Sequence, residues 1–137
     1  MSIIAPVVAL AAWTLVMWLW MYATRIPAIV KARMRLDPNA PRGEQMSTLP
    51  PSVRWKADNY NHLMEIPTVF YAVALVLAIL GDSSTLSVGL AWAFVGLRVV
   101  HSIWQAMINV IMVRFALFVL STLPLIGLTA RAAQAAF

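Results

Sequence analysis

Cysteine is absent from this 137-residue chain. Its absence excludes disulfides, thiolate metal sites and a thiol nucleophile supplied by the protein. Charge is scarce as well: Asp, Glu, Lys and Arg make up 11% of the residues, against about a quarter in an ordinary soluble domain. Acidic residues number only five and histidines two. No His/Asp/Glu spacing typical of a metal site occurs. There is no Gly-rich phosphate loop, no Ser-His-Asp arrangement, no internal repeat and no low-complexity tract.

What fills the chain instead is apolar. Hydrophobic residues reach 62% and the mean hydropathy is +0.82, which excludes an ordinary soluble domain. Residues 1–24 carry no charge, enough to cross a ~30 Å hydrocarbon core at about 20 residues per helix. They lack a basic leading region and outrun the roughly 7–15 apolar residues of a signal peptide, so they read as a retained transmembrane helix. The pattern predicts an all-α integral membrane four-helix bundle in one domain, 1–137. Its helices are expected at about 3–35 (kinked near Pro27), 53–81, 85–107 and 110–133. Ser52, after Pro50 and Pro51, is the expected cap of the second helix, and Gly81 marks its end.

Basic residues orient the bundle. Arg25, Lys31, Arg33, Arg35, Arg42, Arg54 and Lys56, most of the ten, lie in or beside the first connection, whereas the Gly81–Thr85 turn holds only Asp82. The positive-inside rule places the 25–56 loop in the cytoplasm and both termini opposite. The net charge of +5 is thus a topology signal, and no nucleic-acid partner is expected. Tryptophans 13, 18, 20 and 55 suit interfacial belts.

Two polar stripes interrupt the apolar helices. Arg54, Asp58, Asn61, His62 and Glu65 follow helical spacing on the second helix, with Asn59 and Tyr60 expected to point elsewhere. Pro67 lacks the N–H that would meet the Leu63 carbonyl, so a kink is expected beside Glu65. The stripe reads either as interhelical glue or as glue that also contacts a ligand. On the third helix Arg98, His101, Ser102 and Gln105 share a face. A charge in such surroundings needs a partner, and Glu65 is the expected ion partner of Arg98. His101 is either a packed hydrogen bonder or a group titrating near neutrality. Arg114, followed by no charge until Arg131, either anchors the fourth helix or neutralises an anionic ligand.

These residues resemble the MAPEG family, the membrane-associated proteins in eicosanoid and glutathione metabolism. The resemblance spans most of the chain. It rests on four helices with a long basic first loop, on Asn61 through Glu65-Ile66-Pro67-Thr68-Val69-Phe70-Tyr71, and on Arg98-Val99-Val100-His101 followed by Arg114. The spacing from Arg98 to His101 to Arg114 is similar to that of the microsomal prostaglandin synthase branch, with Gln105 where that branch has tyrosine. Asp58, Asn59, Tyr60 and Asn61 stand where glutathione-using members carry several arginines, a pattern closer to the bacterial branch.

The resemblance implies a homotrimer in the bacterial inner membrane, with sites between subunits in the cytoplasmic half. It implies glutathione as cofactor, with Asn61, His62, Glu65, Arg98 and His101 around it. Glu65 would meet its amine, and Arg114, the catalytic residue, would stabilise its thiolate. A guanidinium beside a thiol favours the thiolate, giving a nucleophile without a general base. The implied function is a glutathione-dependent transferase or peroxidase acting on lipophilic electrophiles from the bilayer. The alternative is a non-catalytic membrane module that binds lipid or another protein. A transporter would need paired broken helices, which the sequence lacks.

Overall fold

The computed structural model describes residues 2–137, and among them every regular element is helical. Helix α1 runs Ile4–Lys31, α2 Pro51–His62, α3 Ile66–Ile79, α4 Thr85–Met107 and α5 Ile111–Ala136. A single 3₁₀ turn, Met46–Thr48, interrupts the first loop. Helices α2 and α3 together make one apolar unit, Pro51–Ile79, so four units are long and apolar enough to cross a membrane. At 1.5 Å per residue, the 28 residues of α1 extend about 42 Å, more than the ~30 Å hydrocarbon layer.

Three expectations need correction. The first helix stops at Lys31 rather than near residue 35, and Arg33 follows it in a left-handed conformation, φ 50°. Ser52 is not a cap: Pro50 holds the cap position and Pro51 the first helical one, where a missing N–H costs nothing. The second helix is not continuous over 53–81 but breaks at Leu63–Glu65. There the Met64 and Glu65 amides donate to the carbonyls of Asn61 and His62, tightening the chain out of the α-helical ladder. Pro67 then sits in the first turn of α3, where its fixed φ suits a helix start. The proline starts a new helix rather than bending an old one.

The α3–α4 turn is closed by chemistry that the sequence dictates. Gly81 adopts φ 78°, a conformation that side chains disfavour. Its amide donates to Ala78 and that of Asp82 to Leu77, the paired bonds of a Schellman cap. Ser84 caps α4 by accepting from the Ser87 amide. Around this turn, one Asp82 carboxylate oxygen accepts from the Ser84 amide at 2.9 Å. The other accepts from the Ser87 hydroxyl at 2.7 Å and pairs with Arg131 of α5 at 3.2 Å. Arg131 also donates to the hydroxyls of Ser87 and Ser84. The Ser87 hydroxyl, the Ser84 amide and hydroxyl, and then Arg131, hold the Asp82 carboxyl well below the usual carboxylate range.

Packing follows the same plan. Leu10 and Met17 of α1, Phe70 and Leu77 of α3, Phe94 of α4 and Leu128 of α5 are buried together, with the Phe70 and Phe94 rings stacked 4.7 Å apart. The opposite faces remain apolar, as at Leu15, Ile79, Met112 and Ile126. Such helices suit lipid, which solvates apolar side chains as well as a core does. Helices α4 and α5 pack most extensively; at Gly127 an added Cβ would stand 3.2 Å from the Leu90 side chain.

Candidate functional site

The break between α2 and α3 decides which polar residues turn inward. On α2 the inward face is Asn59 and His62 with the Leu63 that caps the helix, a spacing of three and four residues. Asn59 is buried and its amide nitrogen donates to the Ser102 hydroxyl of α4, contrary to the expectation that it points away. On α4, Arg98, His101, Ser102 and Gln105 are all buried, from 0% to 5% exposed. Every one of these belongs to one polar layer inside an apolar bundle.

Arg98 does not pair with Glu65. Among the described residues the one ion pair is Arg131 with Asp82. Arg98 instead meets the His62 ring at Nδ1, 3.0 Å away. Glu65 stays exposed at the cap position of α3, where the helix dipole favours a carboxylate. The reason is geometric: the chain leaves the helix at residues 63–65, which sets Glu65 at the start of α3 and out of ion-pairing distance of Arg98.

The two imidazoles stack, His62 on His101, with centroids 5.0 Å apart and planes 25° from parallel. Phe118 of α5 flanks His62 at 5.4 Å. These rings, with Ile111, Arg114 and Phe115, line a cleft of about 190 Å³. Arg114 is placed by the α4–α5 turn. Asn109 takes a left-handed conformation (φ 57°), tolerated best by Asn after Gly, and its side-chain oxygen accepts from Arg114 at 2.8 Å. Arg114 lies one turn into α5, so its charge adds to the positive end of that helix's dipole. Both make the cleft attractive to an anion.

Several polar atoms of the layer have no hydrogen-bond partner within the chain: Arg98 Nε and one terminal nitrogen, both His101 nitrogens, Asn59 Oδ1 and Gln105 Oε1. Buried polar groups are nearly always paired, and each unpaired one costs about 1–3 kcal/mol. Such a set marks a place where stability has been given up.

Of the residues expected at one site, His62, Arg98, His101 and Arg114 come together. Asn61 does not; it faces a separate cleft with Arg54 and Asp58 against the first loop. Asn59, Phe115 and Phe118 join the site unexpectedly. Their signal was present: Asn59 precedes His62 and Leu63 by three and four positions, and Phe118 follows Arg114 by four.

Fold and site together define a polytopic α-helical membrane protein whose interior carries a cationic and imidazole layer opening beside the start of its last helix. The chain belongs to the MAPEG family, whose model matches residues 3–134. No curated protein and no solved structure matches it.

Proposed function

We propose that the protein is a glutathione-dependent transferase or peroxidase that acts on lipophilic electrophiles reaching it from the bilayer. The observation that carries this reading is the meeting of Arg114 with the His62–His101 stack beside an apolar wall, Ile111, Phe115 and Phe118. The fit is chemical. A thiolate suits a guanidinium at a helix N-terminus. The unpaired Arg98, His101 and Gln105 atoms behind the cleft give a polar ligand or bridging waters something to bind. Glutathione, when bound, would supply the nucleophilic sulfur; Arg114 would hold its charge, His62 and Glu65 would border its polar end, and Phe115 and Phe118 would receive the apolar substrate.

A cleft of about 190 Å³ is smaller than the ~300–1,000 Å³ usual for a ligand of this size. A second copy of the chain would supply the remaining wall, in keeping with a homotrimer whose sites lie between subunits. The basic first loop supports a cytoplasmic position for this end of the bundle, in a bacterial inner membrane.

Purified protein given glutathione and a chlorinated nitrobenzene or a lipid hydroperoxide tests the proposal. Arg114→Ala should lower turnover by roughly a hundredfold, the usual effect of removing one charge-stabilising donor. Unchanged turnover would sink it. A second reading, a non-catalytic module for lipid or protein binding, is favoured by one observation: Arg98 is turned inward onto His62, leaving Arg114 as the cation on the cleft. That reading expects no rise in melting temperature with millimolar glutathione, whereas a native-state ligand must raise it.

A further inference from the structure

The first loop builds a second cleft, apart from the His62–Arg114 site. Arg25 of α1, Arg42 of the loop and Arg54 of α2 all line a cleft of about 370 Å³. Its apolar floor includes Leu49 and Ala57, 4% and 5% exposed. This volume falls within the ~300–1,000 Å³ range of ligand sites.

The loop is shaped to bring Arg42 there. Gln45 bridges it, donating to the Arg35 carbonyl at 2.6 Å and accepting from the Asp37 amide at 3.0 Å. Gly43 turns the chain at φ 80°, and its carbonyl accepts from the Ser47 amide. Three arginines from three separate elements thus line one cleft: among the described residues none has an ion pair or a hydrogen bond from its side chain. Asp58 lines the same cleft, yet no cation lies within ion-pairing distance of it. Each guanidinium presents a planar fork matched to phosphate oxygens.

We propose that this cleft binds a phosphate group, held by the guanidiniums of Arg25, Arg42 and Arg54. The phosphate comes from an anionic lipid head or from a soluble phosphate compound. Basic pockets beside membrane helices suit the former, and the apolar floor next to the arginines would receive the glycerol and upper acyl carbons.

The test uses the full chain in neutral detergent, with the melting temperature followed against added phosphatidylglycerol, diacylglycerol as its phosphate-free counterpart, and inorganic phosphate against chloride at equal ionic strength. A rise with phosphatidylglycerol alone assigns the site to a lipid head. A rise with inorganic phosphate as well assigns it to a soluble phosphate. Either supports the proposal; a response no greater than with diacylglycerol and chloride overturns it. Arg54→Gln and Arg42→Gln should each weaken the effect at least about tenfold, the loss of one charge-assisted contact. Arg42 sits in the exposed loop, so its variant tests the site even where Arg54→Gln fails to fold. Arg35→Gln, outside the cleft, should leave the response intact. An equal loss there would reduce the effect to general surface charge and overturn the site.

Discussion

At the Asp82 end of the bundle both carboxylate oxygens are engaged, and the two serines and Arg131 close the network around them. At the Arg98 end the arginine has one partner, His62, and both His101 nitrogens, Asn59 Oδ1 and Gln105 Oε1 lack partners within the chain. Both clusters interrupt the same apolar bundle, and both hold an arginine. The difference separates a structural cluster from the one where the proposed site lies. A saturated network stabilises the fold, whereas an unsaturated buried layer lowers stability and persists where a site needs it.

The contrast can be broken by substitution. Asp82→Ala should have the largest effect, because it strands the buried Ser87 hydroxyl and unpairs Arg131 at once. A loss of about 2–3 kcal/mol is expected, read as a melting temperature lower by roughly 10 °C in mild detergent. Acid should reach the same network without mutation. The folded Asp82 carboxyl titrates below its ordinary value, so its contribution is complete above the unfolded pKa of about 3.9 and is lost as pH falls through the folded value. Melting temperature measured from pH 6 down to pH 3 should fall below about pH 4, and that slope should be shallower in Asp82→Asn.

Lys56→Met should cost less, about 1 kcal/mol. Lys56 donates to the Ala106 carbonyl in the last turn of α4 at 3.2 Å and lies 5.2 Å from the Trp20 ring, so thermal unfolding should register both losses. Smallest of all should be Arg98→Met. Replacing an incompletely paired buried ion by an apolar chain of similar length is often neutral or stabilising. The same variant should lose glutathione-dependent turnover if the proposed chemistry is right.

Much of this was legible in the residues. The apolar runs gave the four spans, and Gly81 and Ser84 gave the turn between α3 and α4. The spacing of Arg98, His101, Ser102 and Gln105 put them on one face, and the structure buries that face. Arg54, Asp58 and Asn61 share helical spacing with His62, yet their side of α2 faces the first loop. Asn59 sits inward because it shares its side of α2 with His62 and the Leu63 that follows, and packed neighbours decide burial. The Glu65–Arg98 pairing failed for another reason: the chain leaves helical geometry at residues 63–65, and no wheel carries phase across such a break. The Asp82–Arg131 pair joins residues 49 positions apart, which only the closed bundle brings together.

The division of labour between the two ends is tested most directly by one paired experiment. Thermal unfolding of Arg98→Met and Asp82→Ala would be compared with the parent protein in the same detergent at neutral pH. Asp82→Ala should melt roughly 10 °C lower, and Arg98→Met should melt with the parent or slightly above it. If Arg98→Met were destabilised as much as Asp82→Ala, the polar layer around Arg98 would be a structural element like the other end, and the account would be contradicted.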